Sequence, residues 1–183
     1  MALMQTYHAC VDIGGTKVAV SLADSQSVST RTLHARIAEP TAKEGANDAL
    51  PKQILRLLDA SMAQLGIARN QIASVGISSC GPFIVNLGMV ELAAPNICGG
   101  LAGKARGLPN DWQTALLQAP IAAIYPNVRV ENDCIGALEA ERNWGALKGF
   151  DNCAYVTWST GIGMGLCVDG HVLRGKNGNA GHA

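Results

Sequence analysis

Two short apolar runs near the start of the chain are separated by a turn that contains two adjacent glycines. The first run, His8–Ile13, ends at Gly14-Gly15, and the second run, Val18–Ala23, follows at once. A strand, a glycine turn and a second strand predict a β-hairpin. The chain is therefore expected to begin with a sheet whose first turn has no side chain at two positions.

The residues around this turn are of the types that bind phosphate. Glycines let backbone amides approach an anion closely, and the side chains of Thr16 and Lys17 supply further donors. Asp12, at the end of the first strand, would position Mg²⁺, usually through water. The turn is not a Walker loop, because the spacing G-x-x-x-x-G-K-[ST] is absent and a strand follows it. A plain hairpin turn is the alternative interpretation.

A second glycine loop lies near the other end of the chain. Ser159–Gly165 stands between a predicted strand at Cys153–Trp158 and another at Leu166–Val168. Glycine-rich hairpins are common, so this loop alone is a weak signal. Two such hairpins at opposite ends of one chain favour a nucleotide that is held between two domains.

An acidic residue follows a predicted strand in the middle of the chain. The strand at Val128–Val130 ends in Glu131-Asn132-Asp133, and a helix around Ala137–Arg142 comes next. Ligand clefts in α/β sheets open at such strand ends, where the Asp133 carboxylate could accept a proton from a substrate hydroxyl. Asn or Asp before a helix is also a good N-cap, and spacing alone favours that role. Asn96 is likewise either a turn residue or an amide that binds a hydroxyl.

Helical and strand periods both occur along the rest of the chain, which predicts an α/β fold. The predicted elements are a strand at Thr30–Ile37, a helix from Asn47 to Gly66, strands at Ile72–Ser78 and Met89–Leu92, and a helix from Asp111 through Leu117.

Composition excludes several classes of function. Fourteen Lys and Arg balance fourteen Asp and Glu, which argues against electrostatic binding to nucleic acid or to an anionic membrane. The six cysteines include no C-x-x-C pair, so a zinc knuckle within this chain is disfavoured. No secretion signal and no run of 18 apolar residues is present, and a reduced, cytoplasmic protein is expected.

The chain divides into two predicted parts. Residues 1–134 are predicted to form an N-terminal domain that carries the first phosphate-binding turn, and residues 135–183 are predicted to form a connecting helix and the start of a second domain. The stretch after residue 150 is too short to close a core of its own. We therefore expect a truncated second domain.

Five short motifs occur in an order that resembles the ROK family, the repressors, open reading frames and kinases. They are Asp12-Ile13-Gly14-Gly15-Thr16-Lys17, Pro95-Asn96, Glu131-Asn132-Asp133, Ser159-Thr160-Gly161-Ile162-Gly163 and Asn177-Gly178-Asn179-Ala180-Gly181-His182. The resemblance implies the actin-like ATPase superfold. It predicts an N-terminal domain around a ribonuclease-H-like mixed sheet, a related second domain and an ATP-bearing cleft between them.

The resemblance also implies roles for individual residues. The residues expected to bind ATP or its phosphates are Asp12, Gly14, Gly15, Thr16, Lys17, Thr160 and Gly161, with Asp12 holding Mg²⁺ through water. Those expected to bind the sugar are Gly81, Asn96, Asn132, Asp133 and His182, with Asp133 as the catalytic base. The family's cysteine-rich zinc segment would lie beyond Ala183, so no residue of this chain is assigned to zinc.

The predicted function is ATP-dependent phosphorylation of the primary hydroxyl of a hexose, with glucokinase and an entry into glycolysis as the first choice. Met164 replaces a glycine that many family members carry, and His182 replaces a glutamate of many hexose kinases. Some family kinases of N-acetylated sugars resemble the chain at His182. The open alternatives are N-acetylmannosamine kinase, fructokinase, polyphosphate as the donor, a non-catalytic sugar-binding protein and a repressor. The expected partners are a hexose and a nucleotide, without nucleic acid or membrane, in a homo-oligomer.

Overall fold

The computed structural model describes residues 5–158 and 161–181, which contain eleven β-strands and four α-helices. The strands are β1 (Tyr7–Ile13), β2 (Lys17–Asp24), β3 (His34–Pro40), β4 (Ile72–Ser79), β5 (Phe83–Asn86), β6 (Met89–Leu92), β7 (Ala115–Leu116), β8 (Val128–Asn132), β9 (Cys153–Trp158), β10 (Ile162–Val168) and β11 (His171–Val172). The helices are α1 (Ser27–Thr30), α2 (Ala49–Leu65), α3 (Gln118–Ala122) and α4 (Asp133–Trp144). None of the described helices is long and apolar enough to cross a membrane.

The predicted first hairpin lies at the centre of a five-stranded mixed sheet. The strand order is β3-β2-β1-β4-β8, with β1 antiparallel to β2 and parallel to β4. Side chains alternate between the two faces of a strand, so Val11 and Ile13 are buried on one face while Asp12 lies on the other. The buried face packs against the apolar side of α2. The α/β fold class and the mixed sheet are thus confirmed.

The three parallel strands of this sheet end at the same level. Ile13 of β1 pairs with Ser79 of β4, and Ser79 pairs with Asn132 of β8. Carboxyl ends of parallel strands therefore share one edge of the sheet. The residues that follow each strand meet at this edge, although they are far apart along the chain.

A second, antiparallel sheet of β9, β10 and β11 packs closely on α4. Two glycines of β10 make this approach possible. A Cβ on Gly163 would lie 2.7 Å from the Cys134 Sγ, and one on Gly165 would lie 2.6 Å from the Cys134 carbonyl oxygen. Helix α4 also contacts β4 and β8 of the first sheet. The predicted boundary after residue 134 falls in the first turn of this helix, and it stays a prediction.

Three local predictions need correction. The helix predicted from Asp111 through Leu117 is wrong, because Ala115 and Leu116 form β7 and the helix, α3, begins only at Gln118. The buried Trp112 and the pairing of β7 with β6 override the helical pattern. The third strand begins at His34 rather than Thr30, which ends α1. The sequence reasoning also missed β5. By contrast, α2 ends at Gly66 in the left-handed conformation, as predicted.

One asparagine organises the loop that carries Asn96. The Asn110 Oδ1 accepts hydrogen bonds from the backbone N–H groups of Gly99 (2.7 Å) and Trp112 (3.1 Å). Its Nδ2 donates to the carbonyl oxygens of Lys43 (2.8 Å) and Ile97 (3.0 Å). Four bonds from one side chain hold the loop against the start of α2 and next to the strand edge.

We predict that Asn110→Ala lowers the free energy of unfolding by about 2–4 kcal/mol, because four backbone groups lose their partner at a half-buried position. Urea denaturation measures the change. The control Asn143→Ala removes an exposed bond to the Glu139 carbonyl oxygen and should cost less than about 0.5 kcal/mol. Equal losses in the two variants would contradict the role of Asn110.

Candidate functional site

A cavity of about 280 Å³ lies at the shared edge of β1, β4 and β8. Its walls are the first glycine turn, the Cys80-Gly81 turn, the start of α4 and the second hairpin. The lining residues are Gly14, Gly15, Cys80, Gly81, Asn96, Asn132, Asp133, Cys134, Thr157, Gly161, Ile162, Gly163 and Gly181. The structure therefore brings residues from both predicted glycine loops and from the acidic strand end around one space.

The sequence left two roles open at this strand end, namely the N-cap of the helix and a carboxylate that faces a ligand cleft. The Asn132 Oδ1 accepts hydrogen bonds from the backbone N–H groups of Cys134 (3.0 Å) and Ile135 (3.4 Å), so Asn132 is the N-cap of α4. Asp133 is the first residue of the helix, is half-buried and lines the cavity. The Asp133 Oδ1 also accepts a hydrogen bond from the Cys134 N–H (2.9 Å), so this carboxylate contacts the start of the helix and lines the cavity at the same time.

Asn96 faces the cavity with few protein partners. Among the described residues, its amide contacts the Cys80 Sγ at 3.8 Å, which is a weak interaction. Gly15 lies against it so closely that a Cβ there would be 2.4 Å from the Asn96 Nδ2. The first glycine turn therefore touches the amide that was predicted to bind a sugar hydroxyl.

Gly81 lies between two asparagine side chains. A Cβ at this position would be 3.5 Å from the Asn132 Nδ2 and 3.5 Å from the Asn179 Oδ1. Asn179 belongs to the C-terminal motif, but no role in the site was predicted for it from the sequence. Its contact with the Gly81 turn joins residues almost a hundred positions apart, which no local pattern reveals.

The first turn differs in detail from the predicted phosphate cradle. The Gly14 N–H donates to the Lys17 carbonyl oxygen at 2.9 Å, so this amide stabilises the turn itself. Thr16 and Lys17 are exposed and stand outside the cavity lining. Of the second loop, Gly161 lines the cavity, whereas Ser159, Thr160 and His182 lie outside the described residues.

Two carboxylates and two cations set the electrostatics of this edge. Desolvation is the main cause that raises the pKa of Asp12, and the charge of Asp133 raises it further. Lys17 and Arg36 act in the opposite direction and lower the pKa of Asp12. Arg36 on β3 was missed by the sequence reasoning, because only the pairing of β3 with β2 places it near Asp12.

The same edge suits a hard divalent cation. Two carboxylates whose charges repel each other are stabilised by Mg²⁺, which keeps several waters and binds through one or two carboxylates together with phosphate oxygens. Within residues 5–158 and 161–181, no cluster of three or more His, Cys, Asp or Glu side chains forms a metal cage. Asp12 and Asp133 therefore fit a cation that arrives with a phosphate ligand.

The thiols at the cavity are not nucleophiles. Burial is the main cause that raises the pKa of Cys134 to about 12, and Asp133 adds to the effect. Burial also raises the pKa of Cys80. All six cysteines are free. Because the thiolate is the reactive form, these two groups stay protonated and act as small apolar wall residues.

Sequence comparison finds kinases and a repressor among the relatives. The chain is 30% identical to a glucokinase of Streptomyces coelicolor over 171 residues, covering 93% of this chain and 46% of that protein. It is 26% identical to an N-acetylmannosamine kinase of Vibrio cholerae, covering 94% and 51%. It is 30% identical to the xylose repressor of Bacillus subtilis over 108 residues, covering 58% and 25%. The chain thus spans about half the length, or less, of the curated relatives it matches.

Solved structures agree with the sequence relatives. A ROK hexokinase from Thermus thermophilus is 27% identical with a TM-score of 0.65, covering 96% of this chain and 51% of that one. A ROK glucokinase from Streptomyces griseus, solved with glucose and AMPPNP, is 25% identical with a TM-score of 0.65, covering 96% and 48%. The predicted actin-like ATPase superfold is thereby confirmed. The ROK family model matches residues 8–183, and the chain belongs to the ROK family.

Proposed function

We propose that this chain is part of a sugar kinase that transfers the terminal phosphoryl group of ATP to the primary hydroxyl of a hexose, with glucose as the first choice. One observation carries the proposal. The aligned ends of β1, β4 and β8 gather a glycine turn, two amides and a carboxylate around a single cavity. The second glycine hairpin forms the facing wall. Membership of the ROK family also supports the proposal of a sugar kinase.

On the acceptor side, the Asp133 carboxylate is the proposed general base. It would accept the proton of the primary hydroxyl while that oxygen attacks the terminal phosphorus, and the bond from phosphorus to the bridging oxygen would break to release ADP. Asn96 and Asn132 would hold the other hydroxyls, and Gly81 leaves room for the ring between them. His182 is proposed as a further sugar contact on the strength of the family motif.

On the donor side, the two glycine hairpins would enclose the phosphates. The proposed contacts are the turn at Gly14 and Gly15, the side chains of Thr16 and Lys17, and the loop at Thr160 and Gly161. Asp12 would hold Mg²⁺ through water, close to Asp133. Bound Mg²⁺ would neutralise charge on the transferred phosphoryl group. Lys17 and Arg36 would offset the remaining negative charge at this edge.

The choice of acceptor remains a proposal within the sugar kinases. The N-acetylmannosamine kinase among the relatives and the histidine at position 182 make N-acetylated sugars the second candidate, and a fructokinase is a third. A repressor is disfavoured by the neutral charge balance of the chain. We further propose a cytoplasmic homo-oligomer that acts on free sugar and binds neither nucleic acid nor membranes.

The direct test is a coupled ADP-release assay with ATP, Mg²⁺ and a panel of glucose, mannose, fructose and N-acetylmannosamine. In a protein of the relatives' full length we expect turnover with one of these sugars. For the 183 residues by themselves we expect weak sugar binding at best and negligible turnover, together with self-association visible by light scattering. Rapid turnover by a monomer of these 183 residues would contradict this expectation.

We predict that Asp133→Asn in the full-length protein lowers kcat about 10²- to 10⁴-fold while sugar affinity stays within a few fold. The amide keeps the size of the side chain but cannot accept the hydroxyl proton. Steady-state kinetics and calorimetric sugar titration measure the two effects. The control is Asp59→Asn, on the exposed side of α2, which should leave kcat unchanged. Near-wild-type turnover of Asp133→Asn would reduce Asp133 to a structural residue.

We predict that Asp12→Asn raises the melting temperature of the ligand-free chain at pH 7.5. The pKa of Asp12 is higher in the folded chain than its usual value, so its ionisation opposes folding above that pKa. As the pH falls through the raised pKa of Asp12, the folded wild-type chain takes up the proton, and the advantage of the variant should shrink. The same variant should lose Mg²⁺-dependent nucleotide binding. A stability gain that is independent of pH would contradict this cause.

A further inference from the structure

The C-terminal stretch Arg174–Gly181 is attached to the rest of the chain at three places. The Arg174 Nε donates to the Glu131 Oε2 at 2.6 Å, beside the end of β8. The amide of Asn179 bonds to the start of β5. The Gly181 carbonyl oxygen accepts from the Met164 N–H of β10 at 3.0 Å. This stretch therefore links the first sheet, the small sheet of β5–β7 and the second hairpin.

The central attachment is the most directional of the three. The Asn179 Oδ1 accepts from the Phe83 N–H at 2.8 Å, and the Asn179 Nδ2 donates to the Phe83 carbonyl oxygen at 2.8 Å. One side chain thus pairs with both polar groups of one backbone residue, as a neighbouring strand would. A primary amide is the side-chain group that offers a donor and an acceptor in this arrangement.

Both ends of this link lead to the cavity. Phe83 follows the Gly81-Pro82 turn directly, and the space above Gly81 is bounded by the Asn132 and Asn179 amides. Gly181, two residues after Asn179, lines the cavity and is so close to β10 that a Cβ would lie 1.6 Å from the Met164 carbonyl oxygen. The Asn179 amide therefore fixes the spacing between the wall at Gly81 and Asn132 and the wall at Gly163 and Gly181.

We propose that Asn179 is a positioning residue for the acceptor sugar. It acts through Phe83 and Gly81, and it sets the width of the acceptor side of the cavity without touching the donor side. The inference rests on the proposed function and deepens it, because it assigns sugar recognition to an amide outside the residues proposed to contact the sugar. Loss of the amide should weaken sugar binding and leave nucleotide binding unchanged.

The variants are Asn179→Ala and Asn179→Asp, and the control is Asn177→Gly. The control removes an exposed amide from the same stretch at a position with a positive φ of 62°, which glycine adopts freely. Thermal melting followed by circular dichroism establishes that each variant is folded. Calorimetric titrations of a protein of the relatives' full length, with and without each substitution, use D-glucose, N-acetyl-D-mannosamine and Mg·AMPPNP as separate probes.

We expect Asn179→Ala to weaken binding of the preferred sugar about tenfold, which matches the loss of one or two hydrogen bonds, with AMPPNP affinity within twofold of wild type. Asn179→Asp keeps an acceptor for the Phe83 N–H but has no proton to donate to the Phe83 carbonyl oxygen, which its charge repels. This variant should therefore lose at least as much sugar affinity as Asn179→Ala, again with AMPPNP affinity within twofold of wild type.

The outcomes separate this inference from the proposed function. If the wild-type chain binds sugar and AMPPNP and the folded Asn179→Ala does so equally well, the inference alone is wrong. Equal losses for sugar and AMPPNP, or a loss in Asn177→Gly of the same size, would show a general structural role and overturn it as well. If the wild-type protein of the relatives' full length binds neither a sugar nor AMPPNP, the proposed function fails and the inference fails with it.

Discussion

Hydrogen bonding between the parallel strands β1, β4 and β8 determines where every other part of the candidate site lies. The ladder places Ile13, Ser79 and Asn132 side by side. Each strand then continues into a residue that lines the cavity, although the three segments are separated by some 50 to 65 positions in sequence. A shift of β8 by one residue would turn Asn132 to the opposite face and remove both the helix cap and the acceptor amide.

Helix α4 begins at the aligned strand ends and places the Asp133 carboxylate near that of Asp12. Asn132 accepts hydrogen bonds from two amides at the start of the helix, and the Asp133 carboxylate accepts one from the Cys134 N–H while it lines the cavity. The N-terminal end of the helix stabilises the charge of Asp133. The pKa of Asp12 rises mainly because burial desolvates its carboxylate and also because Asp133 repels its charge, although Lys17 and Arg36 act against the shift. A cation bound at this edge of the sheet would relieve the repulsion between the two carboxylates. Ionisation of Asp12 therefore lowers the free energy of unfolding at neutral pH, as is common where a site must bind charged ligands.

The sequence predicted features that depend on neighbouring residues and failed where distant contacts decide. The glycine hairpin, the end of α2 at Gly66 and the strand at Ile72–Ser79 follow from local periodicity and turn chemistry. The helix from Asp111 was wrong because Trp112 is buried there and Ala115 and Leu116 pair with β6. Arg36 and Asn179 were missed because strand pairing and a contact 96 residues apart in sequence place them. The site roles of the quoted motif residues stay predictions.

The facing wall of the cavity is held by close approaches of the backbone that leave no space for a Cβ. Gly165 lies against the Cys134 backbone and Gly181 against the Met164 backbone, while Gly163 lies against the Cys134 Sγ. Side chains can change rotamer to accommodate a ligand, but closely packed backbone cannot. The width of the cavity therefore cannot adjust at this wall, and it depends on where the opposite wall is fixed. The two hydrogen bonds between Asn179 and Phe83 fix the opposite wall, so they affect the width of the cavity more than their modest energy suggests.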